Sequence, residues 1–118
     1  MEERAYQRLI VWKEAHQLCL KIYACTKVFP TDEKFGLVSQ MRRAAYSVPM
    51  NITEGNARRG HKERIHFLDI SGASLEELHY QTFLALDLKY LSPESASDID
   101  NRIQRVGYLL MKLRSSLS

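Results

Sequence analysis

Residues 92–117 read SPESASDIDNRIQRVGYLLMKLRSSL, and this stretch decides the fold class. Its apolar side chains alternate steps of four and three, at Ile99, Ile103, Val106, Leu110, Leu113 and Leu117. That spacing lines one side of an α-helix and is typical of the seam between nearly parallel helices, which cross at roughly 20°. Ser92 and Pro93 are a helix start signal, because serine caps the first turn and proline fits its first position. We therefore expect a helix over about 93–116 that packs lengthwise against others.

Three more amphipathic segments precede this helix. Apolar residues at steps of three and four predict a helix over about 6–29, which a proline ends. A second helix is expected over about 32–57, with a kink near its internal Pro49, and a third over about 61–90. Short connections between four helices favour an all-α, antiparallel up-down-up-down four-helix bundle, a single domain over residues 1–118.

The third helix carries more apolar surface than one bundle core needs. Two adjoining stripes of apolar or small residues run along it, whereas a single stripe is enough to face a core. Either this helix also meets another subunit, or it is the most deeply buried helix of the bundle. Gly72 and Ser74 are small enough to let another helix approach closely, so we interpret them as structural or interface residues.

Composition fits one compact helical domain. Hydrophobic residues make up 45% and charged residues 26% of the 118 residues, which argues against a disordered chain. No apolar run approaches the roughly 20 residues of a membrane span, and the first residues lack the order of a signal peptide. We therefore expect a cytoplasmic protein with no membrane partner. Cys19 and Cys25 point to different faces of the first helix and are expected to be buried or half-buried thiols.

No catalytic constellation is evident. Among the histidines only His16, with Cys19, has the spacing of a metal site on a helix, and packing is the simpler interpretation. No serine or cysteine adjoins a glycine-rich turn of the nucleophile-elbow or phosphate-loop type. Trp12 and Tyr23 have rings that can stack on bases, but they fall on or beside the core stripe of the first helix, which favours packing. We expect no enzyme, no cofactor and no metal.

Positive charge is expected to gather at one end of the bundle. In this topology the starts of the first and third helices meet the ends of the second and fourth. Eight basic residues fall there: Arg4, Arg8, Arg58, Arg59, Lys62, Arg64, Lys112 and Arg114. Clustered arginine and lysine displace counterions from nucleic acid, which makes these eight the candidate nucleic-acid-binding residues. Matching of the helix dipole is the alternative, and it explains Lys112 and Arg114 at a helix end but not Lys62 at a helix start.

Arg42 and Arg43 form a separate pair in the middle of the second helix. Adjacent residues on a helix diverge by about 100°, so at least one of the two leaves the core stripe. We interpret them as structural or intersubunit residues.

Residues 40–55, QMRRAAYSVPMNITEG, closely resemble the signature of the four-helix-bundle proteins encoded within intervening sequences of bacterial 23S ribosomal RNA genes. Similarity extends over nearly the whole chain, including residues 9–13 and 67–70. There are departures, namely Thr53 where the family usually has alanine, and Gly72, one place earlier than is typical. The motif adds four structural or interface residues: Pro49, Asn51, Glu54 and Gly55.

This resemblance implies a homopentamer, in which five bundles form a barrel around a central channel. Similar bundles are accessory proteins of diversity-generating retroelements, where a basic pentamer binds nucleic acid and associates with a reverse transcriptase. The family has no established catalytic residues. We therefore expect a non-enzymatic oligomeric scaffold that binds structured RNA or a DNA/RNA hybrid through its basic end. The alternative is a protein-interaction adaptor, for example an accessory subunit of a reverse transcriptase, for which nucleic-acid contact is incidental.

Overall fold

The regular structure of this protein is entirely helical. A computed structural model describes all residues, Met1–Ser118. It contains four α-helices: α1 (Ile10–Thr26), α2 (Leu37–Asn56), α3 (His61–Asp87) and α4 (Pro93–Leu117). Short 3-10 turns at Ala5–Arg8 and Thr31–Glu33 precede α1 and α2. None of the helices combines the length and the apolar character that a membrane span requires.

Each helix packs against two neighbours, in the cyclic order α1, α2, α3, α4. Ion pairs between helices show their relative direction, because early residues of one helix meet late residues of the next. The pairs are Glu14 with Arg105 and Lys21 with Asp98 between α1 and α4, and Asp69 with Arg114 and His79 with Asp100 between α3 and α4. Helix α4 therefore runs antiparallel to α1 and α3. Val48 of α2 meets Ser71 of α3, and Gly55 meets Phe67, so α2 also runs antiparallel to α3, as a four-helix bundle requires.

One hydrophobic core holds the bundle together. It consists of 22 buried residues drawn from all four helices and from both connections that join α1 to α2 and α3 to α4. Leu18 of α1, Met41 of α2, Leu78 of α3 and Ile99 of α4 are completely buried. Because a single cluster connects every helix, the chain folds as one unit.

Two helix starts differ from the sequence prediction, each for a local reason. Leu9 has an extended backbone (φ −69°, ψ 129°), so α1 begins at Ile10 and not near residue 6. The second helix begins at Leu37 and not near residue 32, because Thr31–Glu33 form a separate 3-10 turn. The Glu33 carboxylate then caps α2, since its Oε1 accepts the Leu37 N–H at 3.2 Å. Its other oxygen accepts a hydrogen bond from the Tyr90 hydroxyl at 2.9 Å.

The end of α3 and the interior of α2 also depend on single residues. The third helix ends at Asp87, earlier than the predicted residue 90, and Lys89 just beyond it has a φ of 64°. That left-handed conformation ends helices, and here it lets the Tyr90 N–H reach the Ala85 carbonyl at 2.9 Å. Pro49 does not end α2, which continues through it to Asn56.

A seam of small polar side chains joins α2 to α3. The Ser71 hydroxyl is fully buried and donates to the Val48 carbonyl at 2.9 Å. The Ser47 and Ser74 hydroxyls lie 2.8 Å apart, and the Asn51 amide donates to the Ser47 carbonyl at 2.8 Å. Small residues allow the two helices to approach closely, and hydrogen bonds then satisfy the polar groups that become buried. Asn51 and Ser74 are thus part of the contact between α2 and α3 within one chain.

The α2–α3 contact is tightest at Gly55. A Cβ atom there would lie 3.0 Å from the Phe67 Cβ and 3.4 Å from the Arg64 carbonyl oxygen. At Gly107 of α4 a Cβ would meet only the Leu75 Cδ2, at an ordinary 3.5 Å.

Gly55→Ala should therefore lower the free energy of unfolding by about 1–3 kcal/mol, as overpacked sites do. Gly107→Ala should raise it by about 0.5–1 kcal/mol, because alanine favours helix. Urea unfolding of both variants checks this, and a Gly55→Ala protein as stable as Gly107→Ala contradicts it.

One buried side-chain oxygen, in Gln81, has no hydrogen-bond partner in the chain. The Oε1 atom of Gln81 is buried without a hydrogen bond, while its Nε2 donates to Glu77 at 3.2 Å. An unsatisfied buried oxygen costs about 1–3 kcal/mol, so Gln81→Met, which keeps a similar shape, should raise the melting temperature. Gln104→Met, at an exposed position of α4, is the matched control and should leave it within error. A lower melting temperature for Gln81→Met would show that the oxygen is satisfied in solution.

Candidate nucleic-acid interface

The four helix ends that were expected to share one end of the bundle do meet there. A small cavity of about 40 Å³ lies among residues from all four: Leu9, Ile52, Gly55, Asn56, Arg64, Leu68, Leu113 and Leu117. These belong to the start of α1, the end of α2, the start of α3 and the end of α4. The candidate basic residues lie on or beside these same turns.

Six of the eight candidate residues have no carboxylate oxygen within 4.0 Å of their charged nitrogens. We call these six the basic cap: Arg4, Arg58, Arg59, Lys62, Arg64 and Lys112. Among them, Arg58, Arg59 and Lys62 are exposed and adjoin one turn, between α2 and α3. Their charges are therefore available to an anion in solvent.

The other two candidates are paired with acids. Arg114 makes two hydrogen bonds to Asp69, at 2.7 and 3.3 Å. The Arg114 guanidinium holds the pKa of the Asp69 carboxyl below its usual value, and the carboxylate in turn raises the pKa of Arg114. Arg8 pairs with Glu3 at 3.0 Å, and both side chains are largely exposed. Arg114 and Arg8 consequently add little net charge to this end of the bundle.

Arg58 and Arg64 fix the shape of the turn between α2 and α3. The Arg64 Nε donates to the Arg58 carbonyl at 2.7 Å, and the Arg58 guanidinium lies over the Phe67 ring at 4.9 Å. Phe67 in turn packs against Gly55. The half-buried Arg64 side chain thus supports the turn, while Arg59 and Lys62 extend from it into solvent.

The start of α3 offers further hydrogen-bond donors at the same place. Gly60, its N-cap residue, has no side chain to cap the helix, and the first backbone bond of α3 is Arg64 N–H to Gly60 carbonyl. The N–H groups of His61, Lys62 and Glu63 are left without a protein partner. Free N–H groups at a helix start, together with nearby cations, are the donor set that phosphate groups accept from proteins.

Arg42 and Arg43 have different environments. The Arg42 Nε donates to the Thr26 hydroxyl at 2.9 Å, and its guanidinium lies 4.7 Å from the centre of the Tyr23 ring. Arg42 therefore ties α2 to the end of α1. Arg43 is exposed and has no carboxylate partner.

The remaining residues that the sequence singled out are spread over the bundle. Pro49 and Gly55 are buried inside it, Glu54 is exposed, and Gly72 lines a groove between α3 and α4 where a Cβ would meet nothing within 4 Å. Only Glu54 and Gly55 lie near the basic cap, in the last turn of α2.

The aromatic residues Trp12 and Tyr23 of α1 lie beside the core stripe. Trp12 is half-buried, and its ring stacks on His16 with centroids 4.9 Å apart. Tyr23 is 37% exposed and lies beside the core stripe, with the Arg42 guanidinium over its ring. The spacing of Trp12 and His16, one helical turn apart, was the signal for the stack.

Groups suited to redox or metal chemistry are few. Cys19 is buried, which raises the pKa of its thiol, and His16 at the predicted spacing faces Trp12. No three side chains of histidine, cysteine, aspartate or glutamate come together in a geometry that suits a metal ion.

Comparison with known proteins identifies the family. The sequence profile described as "23S rRNA-intervening sequence protein" matches residues 7–112. The fold is similar to the crystal structure of a protein of unknown function from the S23 ribosomal protein family of Bacteroides thetaiotaomicron, with a TM-score of 0.83. That chain is 21% identical, and the match covers 90% of this chain and 96% of the other, which shows a shared fold. No curated protein matches. Because the profile spans most of its length, the chain belongs to the 23S rRNA-intervening sequence protein family.

Proposed function

We propose that this protein is a non-enzymatic, oligomeric scaffold that binds structured RNA or a DNA/RNA hybrid through the basic cap. One observation carries the proposal, the six cations at one end of the bundle that have no carboxylate within 4.0 Å. Such cations release counterions from a nucleic-acid backbone on binding, and this release supplies most of the sequence-independent affinity. The exposed N–H groups at the start of α3 add donors for the phosphate oxygens.

Repetition of the cap would strengthen this binding. One cap offers few phosphate contacts, but several caps held in one assembly act together and raise the affinity without any new contact. We propose a homopentamer, as the family resemblance implies. The surplus apolar surface of α3 supports an assembly, since Tyr80 and Phe83 are 62% and 56% exposed. These exposures favour a second subunit over deep burial of α3 within its own bundle.

A groove between α3 and α4 adjoins this apolar surface. Gly72 lines one cavity of about 270 Å³ in the groove, and Phe83 and Leu86 line a second cavity of about 350 Å³ towards the end away from the cap. His79 and Asp100 face each other across this second cavity at 3.4 Å.

This groove also supports the second candidate function, an adaptor for another protein such as a reverse transcriptase. A complex with such a partner that persists after nuclease treatment would favour the adaptor.

Removal of three cap charges should weaken nucleic-acid binding and its dependence on salt. The variant combines Arg59→Gln, Lys62→Gln and Lys112→Gln, which leaves in place Arg58 and Arg64, the two residues that shape the turn. Each lost phosphate contact lowers the slope of log K against log salt by about 0.7–0.9, so the slope should fall by roughly two to three. Fluorescence anisotropy with a labelled RNA hairpin over a series of salt concentrations measures both quantities.

A matched control removes the same charge elsewhere. Lys27→Gln, Lys34→Gln and Lys89→Gln together also lower the formal net charge of +3 by three, and these exposed lysines lie at the opposite end of the bundle. In the control, the slope of log K against log salt should differ from the wild-type slope by less than about one. Equal losses in the two triple variants would show that net charge, and not the cap, is responsible for binding.

A charge placed on α3 should separate the subunits. Phe83→Asp puts a carboxylate in the α3–α4 groove, where burial against a second chain would leave it unpaired and costly. The same change at Phe35, which is 88% exposed in the connection before α2, serves as the control. Light scattering after size exclusion should show a smaller particle for Phe83→Asp only. A wild-type protein that is monomeric at all concentrations would refute the assembly.

A further inference from the structure

The flank of the bundle formed by α1 and α2 differs in charge from the rest. These two helices carry two carboxylates: Glu14, which pairs with Arg105 of α4 at 3.7 Å, and Glu54, which is exposed in the last turn of α2. In contrast, α3 alone carries five: Glu63, Asp69, Glu76, Glu77 and Asp87. A polyanion therefore meets less repulsion along the surface that α1 and α2 share than along α3.

Positive charges lie on this flank without acidic partners. Lys13 and Arg43 are exposed, and neither has a carboxylate oxygen within 4.0 Å. Arg42 is held by Thr26 with its guanidinium over Tyr23, so its charge stays close to an aromatic ring. Proteins that bind single-stranded nucleic acid combine cations with aromatic faces, because the cations bind phosphates and the rings stack on bases.

Aromatic rings follow the same flank from the cap towards the middle of the bundle. The Tyr6 ring meets the edge of Trp12 at 5.2 Å, and Trp12 stacks on His16. Tyr23 lies seven residues after His16, on the same side of α1, and contacts Arg42 of α2. Tyr46 follows Arg42 by one turn of α2 and, like Tyr23, is 37% exposed.

This row begins at the basic cap. Tyr6 belongs to the turn Ala5–Arg8, which follows Arg4 of the cap. From Trp12 to Tyr23 the helix rises by eleven steps of 1.5 Å, or roughly 16 Å. Stacked bases are spaced about 3.4 Å apart, so this length accommodates about four or five nucleotides.

From this arrangement we infer that unpaired bases of the bound nucleic acid stack along the α1–α2 flank, with the strand leading from the basic cap past Trp12 to Tyr46. The inference rests on the proposed function and adds its substrate class, a single-stranded segment or loop beside the structured part. The small number of carboxylates and the continuity with the cap favour a polyanion over a protein on this flank.

Trp12 is the only tryptophan and therefore reports directly on this surface. Oligo(U) of about 20 nucleotides, longer than a single site of this kind, is titrated into the full-length protein at low salt. Anisotropy of an end-labelled oligonucleotide measures binding, and tryptophan fluorescence is followed in parallel. We expect quenching with the same midpoint as the anisotropy change. A blunt-ended RNA duplex should bind through the cap with little quenching, because its bases are already stacked.

Two variants test the role of the flank. Tyr46→Ala should weaken oligo(U) binding roughly five-fold or more, in line with the loss of one stacked base, and should leave duplex binding unchanged. Phe35→Ala removes a more exposed ring (88% against 37% for Tyr46) at the other end of the molecule and should stay within two-fold of wild type. Equal effects of the two substitutions on oligo(U) binding would overturn the inference.

The remaining outcomes separate the inference from the proposed function. Oligo(U) binding without any tryptophan quenching overturns the stacking inference and leaves the cap intact as a binding site. Absence of binding to both oligo(U) and duplex at low salt overturns the inference and the proposed function together. If Tyr46→Ala instead dissociates the assembly, a second protein chain covers this flank, and the inference is wrong.

Discussion

Close packing of α2 against α3 is the contact on which the arrangement of the basic cap depends. Buried Ser71 bonds to the Val48 carbonyl at 2.9 Å, and Gly55 lets the Phe67 side chain lie against the α2 backbone. Arg58 covers the other side of Phe67, and Arg64 bonds to the Arg58 carbonyl. The direction of the turn, and with it the positions of Arg59 and Lys62, follows from how tightly two backbones fit. Packing inside the bundle thus determines the electrostatics at its surface.

Local pairing divides the positive charge of the cap end into two kinds. Arg114 is held by Asp69 through two hydrogen bonds, so its charge is compensated within the chain. Arg59 and Lys62 have no such partner and remain available to an anion. The dipole of α3 adds to the positive potential at this place, because the uncapped start of the helix carries partial positive charge. Cations placed at a helix start oppose that dipole, and an anionic ligand relieves the repulsion between them.

The sequence was sufficient to predict four helices in antiparallel order, because apolar spacing and the signals at Ser92 and Pro93 are local. It did not predict the extended backbone of Leu9 or the left-handed Lys89, since both depend on how the chain packs after the turn. It also missed the pairing of Arg114 with Asp69, which lie 45 residues apart. Such a pair is set by the register between α3 and α4, and periodicity within each helix leaves that register open.

Far from the cap, the Glu33 carboxylate holds two connections together, because one oxygen caps α2 and the other accepts the Tyr90 hydroxyl. This hydrogen bond raises the pKa of Tyr90 in the folded chain above that of a free phenol. A group whose pKa is raised by folding stabilises the fold fully at a pH below its pKa in the unfolded chain. This stabilisation is lost as the pH rises through its pKa in the folded chain. Ionised Tyr90 would place a phenolate against a carboxylate, so strong base should loosen the bundle first at this end, while the arginine-rich turn keeps its charge.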